Sequence, residues 1–438
     1  MSLVAALAAG YAAFSSGCGG SSPSTIDAAI VAADAAPEPP DAATPEPPDA
    51  AAPGPDAAPQ LLWQTVTASA LPCPVRADGL ACAPADPPTT FASTTTFREP
   101  FTVMRTGTRV EVTLWGSNGD MVVGSAWIGR DLGSGTVDSN TQLLFGGKPN
   151  VTIPAGTTMT SDPLDFAVTS GERYAVSFAA SGSVPRAQSD IGFEGMQAPG
   201  DHAGAASLNG TRDPAFRGVK WVAVLGPQQR AVSVLGDSIA AGEASYGVDK
   251  RFIDLAQLAL GYPVVDSAEG ADGVVTASTR IDRDVLALPG VTDCLVELGT
   301  NDLWQANPEK MGLDAGTQYV IDSLTSVYTK LGGAGLKVWG ATILPKGPGV
   351  LTANGEAARV KVNQFIQSTN LVSGVVDFAA AIADPTDPSK PAAGMLAQDG
   401  IHPLNQGHRA MADAMVKAFG GSVADAGTPD AGARDAGH

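Results

Sequence analysis

Positive charge is in short supply in this chain. Its 26 Lys and Arg stand against 45 Asp and Glu, which leaves a net charge of −19. Without a basic excess nothing can displace the counterions of a phosphate backbone, so nucleic acid is excluded as a partner. Such a surface repels copies of itself and suits a soluble, exported protein. Cysteine is also scarce, with four residues in 438. Histidine is no commoner, and none of the four lies near Cys73 or Cys82, so a cysteine-histidine metal site is not expected. Long apolar runs are missing too. The stretch from Leu3 to Phe14 is too short to span a bilayer.

What is present divides the chain into five parts. Residues 1–18 read as an export signal whose apolar core is Leu3 to Phe14, ending in Gly17-Cys18-Gly19-Gly20. That ending is similar to a bacterial lipoprotein signal, which makes Cys18 a membrane tether; simple cleavage nearby is the alternative. Residues 19–60 are nearly all Ala, Pro, Asp, Glu and Ser, with PEPPDAA at 37–43 repeated at 45–51. Such a segment has too little apolar surface to offset the entropy of ordering, so it reads as a disordered spacer. Residues 422–438, with Asp-Ala-Gly beginning at Asp425, Asp430 and Asp435, read as a second disordered tail.

Residues 61–229 carry a period of two. In Thr108–Leu114, Val110, Val112 and Leu114 point one way and Arg109, Glu111 and Thr113 the other; Tyr174, Val176 and Phe178 repeat the pattern. Gly-Gly-Lys-Pro at 146–149 and Pro-Ala-Gly at 154–156 are turn chemistry between strands. With no helical period of useful length, an all-β sandwich or jelly-roll is expected. Cys73 and Cys82 read as a local disulfide in an exported chain. Trp115 and Trp127 read as packing residues, a carbohydrate-binding role being the alternative, and His202 as closing its own turn.

From residue 230 to 421 strands alternate with helices. Apolar strands are expected at Val232–Leu235, Pro263–Asp266, Asp293–Leu298, Lys337–Leu344 and Gly374–Phe378. Between them, Val320, Leu324, Val327 and Leu331 form a helical stripe. Five strands with intervening helices make a parallel, doubly wound α/β sheet covered on both faces. Cys294, inside the third strand, reads as a reduced core residue.

Chemistry belongs at the carboxyl edge of such a sheet. The first strand stops at Gly236-Asp237-Ser238 and offers a hydroxyl. The second runs into Glu269-Gly270-Ala271-Asp272-Gly273, where glycine lets a backbone N–H approach a substrate; the third ends in Gly299-Thr300-Asn301-Asp302, which offers an amide. After the fifth comes Asp399-Gly400-Ile401-His402-Pro403, a carboxylate that can support one nitrogen of an imidazole and leave the other for the serine.

These four pieces together resemble the signature blocks of the SGNH, or GDSL, hydrolase family. The resemblance covers about 231–420 and implies a flavodoxin-like three-layer α/β/α fold. It implies Ser238 as nucleophile, His402 as general base and Asp399 as its orienting carboxylate. The oxyanion donors it implies are the Ser238 N–H, Gly273 and Asn301, with Gly270 as the alternative glycine. His408 falls on the following helix and is read as structural. Segments of the N-terminal half resemble the β-sandwich domain that precedes the SGNH domain in some exported bacterial esterases. The chain has no Gly-x-Ser-x-Gly, so the α/β-hydrolase elbow is not an equal reading.

The expected function is an exported serine carboxylic ester hydrolase that works through an acyl-enzyme with no metal or organic cofactor. It is expected to deacetylate carbohydrate or cleave short-chain esters, as a monomer, outside the cell or tethered to its surface through Cys18. Lipase or lysophospholipase-type cleavage is one alternative and a non-catalytic carbohydrate-binding surface protein another. Acyl transfer to an acceptor other than water uses the same residues.

Overall fold

The computed structural model describes residues 60–70, 89–116, 119–186, 193–247, 249–304 and 307–421. The expected leader with Cys18, the acidic spacer to residue 59, the Cys73–Cys82 pair and the tail from 422 lie outside the described residues.

Among the described residues the alternating half forms twelve strands in two antiparallel sheets. They are β1 (Leu61–Ala68), β2 (Thr89–Thr102), β3 (Gly107–Trp115), β4 (Met121–Gly133), β5 (Thr136–Leu143) and β6 (Val151–Ile153). Then come β7 (Thr158–Thr160), β8 (Leu164–Val168), β9 (Arg173–Val184), β10 (Gly195–Pro199), β11 (Thr211–Asp213) and β12 (Val219–Pro227). One sheet runs β1-β12-β3-β7 with β8 also on β3; the other runs β11-β10-β2-β9-β4-β5 with β6 also on β4. Val110, Val112 and Leu114 of the first sheet share one core with Phe97, Ile128, Val176 and Phe178 of the second, which makes the domain a sandwich.

The far face of β9 departs from simple alternation. Ala175, Ser177 and Ala179 are as buried as Val176 and Phe178. The buried guanidinium of Arg98 explains this, because it donates to Ser177 Oγ at 2.7 Å and to the carbonyls of Gly135 and Ala205 at 2.6 Å, drawing the loop around residue 205 over the sheet. Periodicity shows which face meets the other sheet; it does not show a cover made of loop. Trp115 is buried, which leaves it no surface on which to stack a sugar, and His202 Nε2 bonds Pro199 O at 3.0 Å within its own turn.

The second half is a five-stranded parallel sheet of β13 (Val232–Gly236), β14 (Val264–Asp266), β15 (Asp293–Glu297), β16 (Lys337–Ala341) and β17 (Gly374–Val376), in the order β14-β13-β15-β16-β17. Its helices are α1 (Ser238–Ala241), α2 (Phe252–Leu260), α3 (Val274–Ser278), α4 (Thr300–Trp304), α5 (Asn307–Met311), α6 (Leu313–Gly333), α7 (Ala353–Ser368), α8 (Phe378–Ile382) and α9 (Asn405–Ala418), with one π-helical turn at Asp282–Leu286. Phe252, Met411 and Met415 of α2 and α9 pack on Val232 and Val234 from one side. The predicted stripe Val320, Leu324, Val327 and Leu331 packs on Cys294 and Val296 from the other. The domain is therefore a three-layer α/β/α sandwich, with Cys294 a free, buried core residue.

Three strands end earlier than the apolar runs predict, the third by a single residue at Glu297. The fourth strand stops at Ala341, because Ile343 N turns to Asn363 Oδ1 at 2.7 Å instead of to a neighbouring strand. Phe378 is helical, because the Asp377 carboxylate accepts from Ala380 N at 3.1 Å and starts α8. The two halves meet through Thr65 N, which donates to Pro289 O at 2.8 Å, and through the apolar contact of Ala68 with Val265 and Leu288.

Candidate active site

In this strand order the chain leaves β13 for β14 on one side and then crosses back to β15 on the other, so a crevice opens over the ends of β13 and β15. Gly236 ends β13 because nothing larger fits: a Cβ there would lie 2.4 Å from Ala240 Cβ. Asp237 then turns the chain into α1, its Oδ1 accepting from Ile239 N at 2.9 Å, and the next residue is Ser238.

Ser238 Oγ lies 2.8 Å from His402 Nε2. On the far side of the ring, His402 Nδ1 lies 2.6 Å from Asp399 Oδ2. The turn that carries both is stitched in place. Asp399 Oδ1 accepts from the N–H groups of Ile401 (2.8 Å) and His402 (3.1 Å), and Gly400 at φ 69° packs against Gly347, whose N–H donates to Gly400 O at 2.8 Å. Burial works against ionisation of Asp399, but the hydrogen bonds from the His402 ring and from the Ile401 and His402 N–H groups outweigh it and hold the carboxyl below its ordinary value.

Asn301, in α4, is buried. Its Nδ2 donates to Asp272 O at 2.8 Å and to Asp237 Oδ2 at 3.3 Å. One amide thus ties the residue before Ser238 to the residue before Gly273. Gly273 caps α3, where Val274 N donates to Asp302 Oδ2 at 3.0 Å. The N–H groups of Ser238 and Gly273 have no acceptor among the described residues. Gly270 lies in the same loop, whose left-handed residue is Ala271 at φ 61°. His408 is buried away from the site, stacked on Phe252 with Nδ1 accepting from Phe252 N at 3.3 Å; burial lowers its imidazole to about 4.

Sequence reasoning misses the charged groups around this arrangement. Asp237 and Glu297 are buried beneath it together with Lys346, whose Nζ bonds Thr300 Oγ1 at 3.0 Å. Burial pushes Asp237 up to about 6, opposed by the Ile239 N–H and Lys346; it raises Glu297 well above its ordinary value, and Asp237 beside it adds to the effect. Burial lowers Lys346 to about 8 although both carboxyls oppose it. At the rim, Glu243 Oε2 lies 3.3 Å from His402 Nε2 and is half exposed. The one signal for Glu297 is its position, a carboxylate closing the apolar run Cys294-Leu295-Val296. Lys346 and Glu243 lie in loops and carry no signal. Among the described residues no group of three His, Cys, Asp or Glu has the geometry of a metal site.

A hydroxyl on one nitrogen of an imidazole whose other nitrogen sits on a carboxylate can be deprotonated as it attacks an acyl carbon, and free N–H groups beside it can receive the charge that forms. Residues 234–410 match the model of the GDSL-like lipase/acylhydrolase family. The α/β domain belongs to this family. The protein is an SGNH-type ester hydrolase. Solved structures similar to the GDSL domain include a lipase/acylhydrolase from Enterococcus faecalis, at 20% identity over 43% of this chain and 94% of that one with a TM-score of 0.36. The psychrotrophic esterase EstA from Pseudoalteromonas sp. is 17% identical over 44% of this chain and 97% of its own, at 0.35. A lipolytic G-D-S-L protein from Veillonella parvula DSM 2008 is 17% identical over 44% and 98%, at 0.34. No curated protein matches the chain.

Proposed function

We propose that this esterase is exported and removes acetyl or other short acyl groups from carbohydrate through an acyl-enzyme on Ser238. The observation that carries the reading is the continuous contact from Ser238 Oγ through His402 to Asp399, at 2.8 and 2.6 Å. His402 takes the hydroxyl proton as Ser238 attacks, and Asp399 holds the tautomer and stabilises the imidazolium. The Ser238 and Gly273 N–H groups and the Asn301 amide receive the oxyanion, each donor worth about 3 kcal/mol. The 2.8 Å bond to Asp272 O fixes the Asn301 amide, and its longer 3.3 Å contact with Asp237 is the one that yields to substrate. Water activated by the same imidazole then releases the acid.

The rim favours a sugar over a long lipid chain. Glu243 places a carboxylate 3.3 Å from His402 Nε2, and the well exposed Tyr246 is fixed nearby by its N–H, which donates to Asn405 Oδ1 at 2.7 Å. A charged rim pairs well with hydroxyl groups and poorly with methylenes. The enzyme acts as a monomer, outside the cell or tethered through Cys18.

The test is hydrolysis of p-nitrophenyl esters of rising acyl length beside acetate release from acetylated xylan. The expected result is fastest turnover of acetate and release of acetate from the polymer, both lost in Ser238→Ala. Preference for long chains refutes the substrate, and turnover kept in Ser238→Ala refutes the nucleophile. Fractionation of cells for the full chain and for Cys18→Ala tests export and tethering.

A further inference from the structure

The β-sandwich sends a buried cation into the GDSL domain. Lys220, on β12, is buried, and its Nζ donates to the Asp284 carboxylate and to Ser69 O at 3.1 Å. Asp284 lies on the π-helical turn and is itself buried. It also receives Arg283, Nε to Oδ1 at 2.8 Å, and Arg280, Nη1 to Oδ2 at 3.3 Å.

Arg280 leads on to the active site. Its Nε donates to Asp272 Oδ2 at 2.6 Å, its Nη2 to Gly236 O at 3.0 Å and its Nη1 to Ser267 O at 2.5 Å. Gly236 is two residues before Ser238, and Asp272 is the residue before Gly273. A planar guanidinium with fixed donor directions therefore holds the nucleophile's strand end and the glycine loop at a set separation.

We propose that Lys220 of the β-sandwich is a positioning residue for the ester hydrolase, acting through Asp284 and Arg280 on the Gly236 carbonyl and the Asp272 loop.

The charge balance makes the link specific. Glu269, Asp272 and Asp284 face Arg280, Arg283 and Lys220, and all six are buried or nearly so. Lys220 is the sandwich's share of the three cations that meet at Asp284. Without it, Asp284 has lost a cation and pulls harder on Arg280, whose Nη1 is already divided between Asp284 and Ser267 O. Any shift of the guanidinium toward Asp284 slackens its bonds to Gly236 O and Asp272. Displacements well below 1 Å at an oxyanion site slow the chemical step while leaving ground-state binding in place. Both cations nearest the junction also lie on the ring of Trp115, Lys220 Nζ at 4.9 Å and Arg283 Cζ at 4.8 Å, which fixes where Lys220 can stand.

The inference rests on assigning the oxyanion to Gly273 and Asn301. The experiment compares Lys220→Met, which keeps length and loses the cation, with Lys220→Arg, which keeps the cation, by steady-state hydrolysis of p-nitrophenyl acetate on protein shown folded by circular dichroism. The expected result is a kcat about tenfold lower in K220M with KM within about twofold, and recovery of most of that loss in K220R. Wild-type kcat in folded K220M, or K220R no faster than K220M, overturns the relay. If K220M does not fold, Lys220→Gln, which loses the charge but can still donate to Ser69 O, carries the same expectation, and wild-type kcat there overturns it equally. Asn301→Ala measured alongside separates the two failures. Wild-type kcat in N301A removes the oxyanion assignment and the inference with it, whereas a slow N301A beside an unaffected K220M removes the relay alone.

Discussion

Replacing Asn301 by Ala separates two roles that one amide holds together. Structurally, its Nδ2 satisfies Asp272 O at 2.8 Å and touches Asp237 Oδ2 at 3.3 Å. Truncation leaves the Asp272 carbonyl buried without that donor, at a cost of about 1–3 kcal/mol in folding stability. The Asp237 contact, near the limit of a hydrogen bond, adds little. Catalytically, loss of one oxyanion donor removes about 3–4 kcal/mol of transition-state stabilisation, a fall of roughly 10² to 10³ in kcat. Because the donor's full strength is felt only once charge has formed, KM should stay within about threefold. The measurements are initial rates on p-nitrophenyl acetate across substrate concentration and urea unfolding of the same preparations. A transition-state analogue such as a phosphonate should lose affinity in parallel with kcat/KM. A KM that rises tenfold with kcat intact would make Asn301 a ground-state binding residue and refute the reasoning, as would a kcat within threefold of wild type in folded protein.

Asp399→Asn keeps the shape of the turn but offers His402 Nδ1 a neutral partner that can present either an oxygen or an N–H. The kcat should fall by roughly 10³ while the melting temperature changes little, and a loss under tenfold would show that the carboxylate is not needed. Gly236→Ala puts a methyl 2.4 Å from Ala240 Cβ, so β13 or α1 must shift; the expectation is about 1–3 kcal/mol of lost stability and a large loss of turnover, and wild-type rates would contradict that packing. Asp302, pushed by burial from 3.8 to about 6 although the Val274 N–H opposes the shift, keeps in the native state a proton that the unfolded chain has released across that window. Its contribution to stability therefore falls as pH rises from about 4 to 6, by about 3 kcal/mol in all. Asp302→Asn still accepts the Val274 N–H and abolishes the titration, so relative to wild type it should gain about that much in urea melts between pH 4 and pH 8; a constant difference would mean that Asp302 titrates normally.

Ser238 and Asn301 are legible because each stands just past an apolar strand, where packing gives no reason for a hydroxyl or an amide, and Asp399 and His402 because a carboxylate three residues before an imidazole can support one of its nitrogens. The parallel sheet is legible for a related reason: runs such as Asp293–Glu297 are buried on both faces and show no alternation. The groups beneath the site are not. Glu297 reads as the polar end of a strand and Lys346 as a loop lysine, yet Glu297 is buried against Gly236 in the middle of the sheet and Lys346 in the loop that bonds the turn at Gly400. Phe378 extends an apolar run, yet the cap at Asp377 makes it helical, a local hydrogen bond overriding hydropathy. Arg98 and Lys220 look like ordinary strand cations, since no periodicity reveals that a loop or a second domain will cover them.

The hydroxyl and the imidazole that meet at 2.8 Å are 164 residues apart in sequence, one at the first strand of the α/β layer and the other after its last. A chain emerging from the ribosome exposes its serine well before the partner able to activate it has been synthesised. The helix after His402 then supplies Met411 and Met415 to the core, which anchors the segment bearing the imidazole. Reactivity should therefore appear only once the segment bearing His402 has been made and has docked, and a nascent chain cut short before residue 399 should be inert toward esters.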